Sequence, residues 1–299
     1  MTKPILTIFT PTYNRLHMLH KCYASLQRQT NKNFVWMIID DGSSDNTGEV
    51  VNKWVSEENK FTIIYTYKSN GGLHTAYNEA IKQADTELMV CVDSDDYLTD
   101  NAVELILELW DSTSSSFVGG IIGLDILENG DIIGDVLPNK KTINLIDLLC
   151  NKYKIRQGDR KIIVKTELYK RVAPMPSYEG EKNFNPHYMN LQISIEYDFL
   201  VLNEPLCVVK YLESGMTSNI FRQYLNSPKS FAQTRRLYLS FSNTTFRFRL
   251  KTSIHYISSC IIGREKNILE KTNHKLLIVF AIPFGVLLYM YIKYRADKC

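Results

Sequence analysis

Two apolar runs in this chain, residues 34–39 and 88–92, each break off directly into carboxylates: Asp40-Asp41-Gly42-Ser43-Ser44-Asp45 after the first, Asp93-Ser94-Asp95-Asp96 after the second. Runs of that length and richness read as buried strands. Their carboxylates then emerge at strand ends, the edge at which open α/β sheets bind ligands. Three carboxylates within four residues repel one another unless positive charge sits among them, and a hard divalent cation carrying a phosphate group satisfies that need. The first expectation is a metal-assisted enzyme acting on a nucleotide diphosphate.

The surrounding pattern fixes the kind of sheet. A strand over 5–9, closed by the turn-forming Thr10-Pro11-Thr12-Tyr13-Asn14, is followed by a helix from 16 to about 27 and the strand ending at Asp40. A helix over 46–57, a strand over 61–67, the turn Ser69-Asn70-Gly71-Gly72, a helix over 73–84 and the strand into Asp93 come next. Alternation of this kind predicts a parallel sheet wound by right-handed crossovers. After a helix over 101–110 the pattern changes. Residues 118–127 and 132–136 flank Glu128-Asn129-Gly130-Asp131 as a hairpin, so the sheet becomes mixed. Residues 138–190, with Pro174, Pro176 and Pro186, read as loop-rich, the place for acceptor recognition, and 206–212 as the last strand. The expected organisation is a catalytic domain over 1–221, split into a nucleotide-binding half (1–110) and an acceptor-binding half (111–221), with a helical membrane-association region over 222–299.

Composition sharpens that division. With 44% hydrophobic and 22% charged residues, the 299-residue chain is neither mainly disordered nor collagen-like. The overall charge of +3 conceals an asymmetry: from Arg222 onward 14 Lys and Arg face three acids, net +11, which leaves −8 for residues 1–221. An acidic body suits cation chemistry and a basic tail suits an anionic surface. In the tail Phe246, Leu250, Ile254, Ile257 and Ile261 share one helical face while Arg247, Arg249 and Lys251 lie off it, the pattern of a basic amphipathic helix.

Residues 276–292 then form a 17-residue apolar run interrupted by Pro283 and Gly285 and flanked by Lys275, Lys293 and Arg295. Spanning a bilayer takes roughly 20 residues, and basic residues at both ends argue against a crossing. The expectation is an interfacial or re-entrant helix, with a true span or a soluble oligomer helix as alternatives. Residues 1–15 hold too short an apolar stretch for a signal peptide, and the six scattered cysteines show no CxxC or zinc spacing, so they read as reduced thiols. The protein is expected at the cytoplasmic face of the cell membrane, peripheral or monotopic. Aromatics in the tail alternate with long aliphatics, which suits lipid rather than base stacking, and nucleic acid is not an expected partner.

The chemistry is read from two places. In Asp93-Ser94-Asp95 an extended backbone points both carboxylates the same way with the small Ser94 between them, a geometry for Mn²⁺ or Mg²⁺ on a diphosphate. Asp41, beside the Pro11-Thr12-Tyr13-Asn14 loop, is placed to accept a hydrogen bond from a base N–H while Tyr13 packs on the base, together reading uracil. The plainer alternative is that Asp40 or Asp41 caps the next helix, a task Ser43, Ser44 and Asp45 are also able to fill.

FTPTYNR (9–15), SLQRQT (25–30), IIDDGSSDNT (38–47), NGGLHTAYNEAI (70–81) and VCVDSDD (90–96), in this order and spacing, resemble glycosyltransferase family 2, the large inverting family of GT-A fold. The resemblance runs through 4–110 and continues more loosely to about 219, where it points to the bacterial capsule or exopolysaccharide type. It implies a Rossmann-like mixed, mainly parallel sheet, a UDP-sugar donor, a divalent metal held by Asp95 with Asp93, and inversion at the anomeric carbon. Pro11, Tyr13 and Asp41 resemble the uridine-binding positions, Asp93 the contact to donor ribose or sugar. Many relatives have a lysine where Leu73 stands; beside Gly72 of the same turn, His74 and Asn78 are the nearest polar substitutes. An inverting transfer needs a base to take the acceptor hydroxyl's proton. Relatives carry it in a Glu-Asp pair, and Tyr178-Glu179-Gly180-Glu181-Lys182 is the best match, with Glu181 as the expected base, Glu179 in reserve and Lys182 in the aspartate's place. Gly158-Asp159-Arg160 is expected on the acceptor side. Arg222, with the loop over 211–219, is expected to close over the diphosphate.

The leading expectation is a hexosyl- or N-acetylhexosaminyl-transferase adding one sugar to a lipid-linked saccharide at the membrane surface, as a monomer or an oligomer. A nucleotidyltransferase on a related sheet is one alternative, but it calls for a Gly-rich basic loop after the first strand. A non-catalytic carbohydrate-binding or membrane scaffold protein is another, and it would tend to lose Asp93 and Asp95.

Overall fold

The computed structural model describes residues 3–57, 59–113, 117–210 and 220–298. It contains two compact units, one formed by 1–71, 75–174 and 189–210, the other by 72–74, 175–188 and 211–299.

The chain opens with β1 (Leu6–Thr12), α1 (Leu16–Arg28), β2 (Phe34–Asp40), α2 (Thr47–Ser56), β3 (Thr62–Tyr67), α3 (Leu73–Gln83) and β4 (Leu88–Cys91), the alternation read from the sequence. β5 (Tyr97–Leu98), α4 (Ala102–Asp111), β6 (Val118–Ile126), β7 (Thr142–Ile143), α5 (Leu145–Leu149), β8 (Arg160–Lys165), α6 (Thr166–Val172), α7 (His187–Ile193) and β9 (Asp198–Val208) follow. All nine strands join one sheet in the order β3-β2-β1-β4-β8-β6-β9-β5, with β7 paired to β9. β1 to β4 are parallel; β8 runs against both β4 and β6, and β5 and β7 run against β9, so the sheet is mixed and mainly parallel. β1 is buried along its whole length because helices cover both faces of a central parallel strand. On one face Leu6, Ile8, Trp36, Ile38 and Val90 meet Leu19, Leu26, Trp54 and Ile106.

Three local expectations change. β1 continues to Thr12 instead of turning at Thr10. Pro11 is tolerated there because β1 pairs with β4 only as far as Phe9, so the missing N–H costs no ladder bond on that side. The second arm of the 118–136 hairpin shrinks to one bridge, Ile126 to Ile132: the Ile133 N–H still donates to Asp125 O, but the carbonyls of 133–135 and the Asp135 N–H bond to Arg156 and Arg160. β8, in the stretch read as loop-rich, is a central strand. Its apolar core is only Ile162-Ile163-Val164 between two lysines, too short for a periodicity signal.

The second unit holds α8 (Ile220–Asn226), α9 (Pro228–Ser240), α10 (Phe246–Ile262) and α11 (Lys275–Ala296). Pro228 opens α9, where a missing N–H is harmless, and Thr245 caps α10 by accepting from the Phe248 N–H at 3.2 Å. The apolar face of α10 packs largely on protein: Ile257, with Tyr256 and Cys260, is buried against Ala232 and Leu239 of α9 and Ile278 and Ala281 of α11, Leu250, Ile254 and Ile261 are partly buried beside them, and Phe246 is 64% exposed. Periodicity reveals a covered face without naming what covers it.

α11 is one continuous 22-residue helix, Pro283 included, and is long and apolar enough to cross a membrane, with a mean hydropathy of 2.1. It buries Ile278, Ala281, Gly285 and Ile292 and exposes Leu276, Val279, Phe280, Phe284, Leu287 and Met290. Gly285 permits the close approach to α10, since a Cβ there would lie 2.5 Å from Ile257 Cγ2.

Candidate active site

The strand order reverses beside β1: the chain winds outward through β2 and β3, then returns to place β4 on the other flank. Such a switch point opens a crevice at the carboxyl ends of the strands. Thr12 is in register with Asp40, Asp40 with Tyr67, and Phe9 with Cys91, so the expected Pro11–Asn14, Asp41 and Asp93–Asp95 segments all leave the sheet at this edge.

Asn14, expected to touch the nucleotide, braces the two loops. It holds a left-handed φ of 52°, and its Oδ1 accepts from the N–H groups of Ser44 (2.7 Å) and Asp45 (3.3 Å) while its own N–H donates to Ser43 Oγ at 2.9 Å. Asp45 takes the capping task, accepting from Thr47 N–H and Oγ1 and from the Leu16 N–H that starts α1. Asp40 is buried and accepts from Ser43 N–H and the Tyr65 hydroxyl.

Asp41 donates its N–H to Thr12 O at 2.9 Å, which ties the two expected uridine segments together. Its Oδ1 accepts from Lys68 Nζ at 2.6 Å and the Gly71 N–H at 2.9 Å, and Oδ2 from Asn70 Nδ2 at 3.2 Å. Lys68 was not foreseen; a single lysine at the end of β3 carries no motif. Pro11 and Thr12 are buried and Tyr13 is 49% exposed, its ring open to a ligand.

The second acidic segment is a turn, closed by the Asp96 N–H donating to Asp93 O at 3.0 Å, where an extended backbone was expected. The expected alternation survives it: Asp93 and Asp95 are half-buried, Ser94 and Asp96 buried. Arg15 Nη1 lies 3.0 Å from Asp95 Oδ2. Behind the turn, Lys161 of β8 approaches Asp96 Oδ2 to 3.8 Å, both side chains under 10% exposed, and buried Asp125 of β6 adds a further carboxylate. Burial pushes Asp93 up, Asp96 to about 7 and Asp125 to about 6, against the opposing pull of Lys161. Burial pulls Lys161 down, yet Asp125, Cys207, Asp96 and Asp93 outweigh it and hold the ammonium well above its usual range.

Four carboxylates against two cations leave this edge short of positive charge. No three His, Cys, Asp or Glu among the described residues converge to hold a metal by themselves. The donor set nevertheless fits Mg²⁺ or Mn²⁺, because Mg²⁺ typically takes one or two carboxylates and completes its shell with water and substrate phosphate.

Of the remaining candidates, Asn78 and Arg160 lie in the first unit and the others in the second or outside the described residues. Gly72, at φ 93°, lets the backbone of Lys182 come close, since a Cβ would lie 2.0 Å from its carbonyl oxygen. His74 is 1% exposed, with its ring 6.2 Å from that of Phe184. Asn78 is half-buried on α3. Glu181 accepts from the N–H groups of Lys229 (2.9 Å) and Ser230 (2.8 Å) and from Ser230 Oγ (2.7 Å). It thereby caps α9, whose Ser227 makes no cap of its own, and complements the helix dipole. Glu179 is exposed, as is Arg222 on α8; the loop 211–219 lies outside the described residues. Arg160, expected on the acceptor side, is tied to the carbonyls of Ile133, Asp135 and Asp159. Burial lowers His187 to about 4, which keeps it neutral.

Comparison with known proteins bears on the same segments. The chain is 38% identical over 105 residues to a chondroitin synthase of Pasteurella multocida (35% of this chain, 11% of that protein). It is 30% identical over 141 residues to UDP-Glc:alpha-D-GlcNAc-diphosphoundecaprenol beta-1,3-glucosyltransferase WfgD of Escherichia coli (47% and 54%). In both cases it spans well under two thirds of the relative's length. Among solved structures, TarS 1–349 of S. aureus aligns over 98% of this chain and 91% of its own with a TM-score of 0.60 at 17% identity. The mannosyltransferase PcManGT of Pyrobaculum calidifontis, solved with GDP-Man and Mn²⁺, aligns over 99% and 84% with a TM-score of 0.58 at 16% identity. These likenesses show the GT-A fold. The sequence profile described as "Glycosyl transferase family 2" matches residues 7–165, more than half of the chain and the part that builds the switch point; the chain belongs to glycosyltransferase family 2.

Proposed function

We propose that the protein is an inverting transferase that moves a hexosyl or N-acetylhexosaminyl group from a UDP-sugar to a hydroxyl of a lipid-linked saccharide, in capsule, exopolysaccharide or other surface-glycan synthesis. The observation that supports this most is the half-buried Asp93–Asp95 pair at the switch point, beside the Asp41–Thr12 link. TarS has been solved with UDP and with UDP-GlcNAc, and the name of WfgD states a UDP-glucose donor and a diphosphoundecaprenol-linked acceptor.

In this reading Pro11, Thr12 and Tyr13 receive the uracil, and Asp41 accepts from its N–H while Lys68 and the Gly71 N–H hold the carboxylate in place. Asp93, with Ser94 beside it, orients the donor ribose or sugar, and Arg15 offers a guanidinium to the diphosphate. Asp95 and Asp93 would hold Mn²⁺ or Mg²⁺, which supplies Lewis-acid neutralisation of the departing UDP. The acceptor oxygen displaces UDP in one step, so a base must take its proton. We assign that base to the 178–182 loop, with Glu179 as the acceptor of the proton and Glu181 as the anchor that fixes the loop to α9. α11 lays its exposed apolar face into the cytoplasmic leaflet, a monotopic attachment that keeps the enzyme where lipid-linked acceptors lie.

The base assignment is tested by comparing Glu179→Gln with Glu181→Gln. Glu179→Gln should keep UDP binding and melting temperature and lose transfer by about a hundredfold or more, whereas Glu181→Gln should chiefly lower the melting temperature. The opposite pattern returns the base to Glu181.

A further inference from the structure

A cavity of about 250 Å³ in the second unit plays no part in the chemistry above; Tyr188, Gln233, Arg236, Ser240, Lys271 and Thr272 are among the residues lining it. We propose, resting on the membrane reading given above, that this cavity binds the phosphate head group of a lipid. Two cations and no carboxylate line it. Lys271 is paired with Glu265, which stands outside the lining, and Arg236 is half-buried with no carboxylate partner among the described residues. Its polar wall is built from fixed parts: Thr272 is 8% and Tyr188 7% exposed, and the Tyr188 hydroxyl accepts from Gln233 Nε2 at 2.9 Å.

The position of the cavity selects the ligand. Thr272 and Asn273 of its lining lead directly into α11, whose start is pinned to α9 by His274 Nε2 at 3.0 Å from Leu239 O. That helix opens on the exposed Lys275, and its first exposed apolar residues are Leu276, 88% exposed, then Val279 and Phe280. A cationic recess followed at once by an apolar face matches a molecule with an anionic head and a hydrocarbon tail. Whole-ligand pockets run from roughly 300 Å³ upward, so this one suits a head group alone. A guanidinium is the preferred partner of phosphate because it donates two parallel hydrogen bonds. The phosphate belongs either to an anionic membrane phospholipid or to a polyprenyl-phosphate carrier.

The experiment is flotation of the full-length protein with phosphatidylcholine vesicles, plain, with phosphatidic acid, or with a polyprenyl phosphate. Binding to one or both vesicles bearing an anionic phosphomonoester should exceed binding to zwitterionic phosphatidylcholine alone, and the vesicle that gains identifies the source. Arg236→Gln should weaken that gain about tenfold, the loss of one charge-assisted contact, while Lys266→Gln, at an exposed lysine between α10 and α11 that does not line the cavity, leaves it unchanged. Equal binding of Arg236→Gln and wild type, or equal weakening by Lys266→Gln, would overturn the cavity in favour of apolar anchoring or diffuse charge. Arg236→Lys keeps the charge and should restore part of the gain. UDP binding measured on the same variants should not move; its absence in the wild type would count against the family chemistry and leave the vesicle comparison standing.

Discussion

α11 is richer in apolar residues than β1, whose seven residues include three threonines and a proline, yet it is α11 that stays exposed. β1 is buried along all seven residues, whereas only 22% of the apolar window of α11 is buried. The parallel strand has helices on both faces because each crossover returns over the sheet. α11 packs against α10 through Ile278, Ala281 and Gly285 and leaves Leu276, Val279, Phe280, Phe284, Leu287 and Met290 exposed. An apolar segment therefore means a protein core in one unit and a surface in need of another apolar phase in the other. Contiguous exposed apolar patches of this kind mark interaction or membrane sites.

Three experiments break or sharpen that contrast. The largest effect is expected from Leu276→Gln, Phe280→Gln and Leu287→Gln together, all more than half exposed. If α11 lies in lipid, losing three buried apolar side chains should shift partition from membrane to soluble fraction by about a thousandfold with an unchanged melting temperature. Undiminished membrane association would move the anchor elsewhere. In the first unit, Lys161→Met should cost about 3–5 kcal/mol at pH 8, because it strands Asp96 and Asp125 as buried charges without their cation. Urea unfolding checks this, and a loss below about 1 kcal/mol would show that water reaches the pair.

The smallest effect is the pH dependence of the wild type in EDTA. Asp96 and Asp125 have folded pKa values raised to about 7 and 6 from 3.8, so their contribution is full below the unfolded value and lost as pH rises through 6 to 7. Stability should increase by about 4 kcal/mol from pH 8 to pH 5. The deficit of Lys161→Met should narrow over the same window as the stranded carboxylates take up protons. A flat profile would contradict the burial of this cluster.

The fold was legible where pattern and partner coincide. In residues 6–91 the apolar runs, helix faces and Gly-rich turn all imply the same parallel sheet, and the strands fall within a few residues of their expected ends. Legibility fails where a short segment is placed by its neighbours. β8 has three apolar residues between lysines, and its central position depends on β4 and β6, which no local signal announces. Lys161 was invisible for the same reason. At the site, the acidic strand ends were readable because clustered carboxylates after apolar runs require an explanation. Asn14 and Glu181 were read as ligand-facing because amide and carboxylate side chains look alike in sequence whether they hold a substrate or a backbone. Four of the five apolar residues traced on α10 pack on protein while Phe246 stays exposed, since periodicity does not distinguish lipid from protein.

The central claim, a UDP-sugar site at the β1–β4 switch point, is tested most directly by calorimetric titration of UDP into the full-length protein, with GDP and CDP alongside, in Mn²⁺ and then in EDTA. The account predicts uracil-selective binding that weakens sharply in EDTA and in Asp95→Asn. Equal binding of all three nucleotides, or UDP binding indifferent to both metal and Asp95, would contradict it.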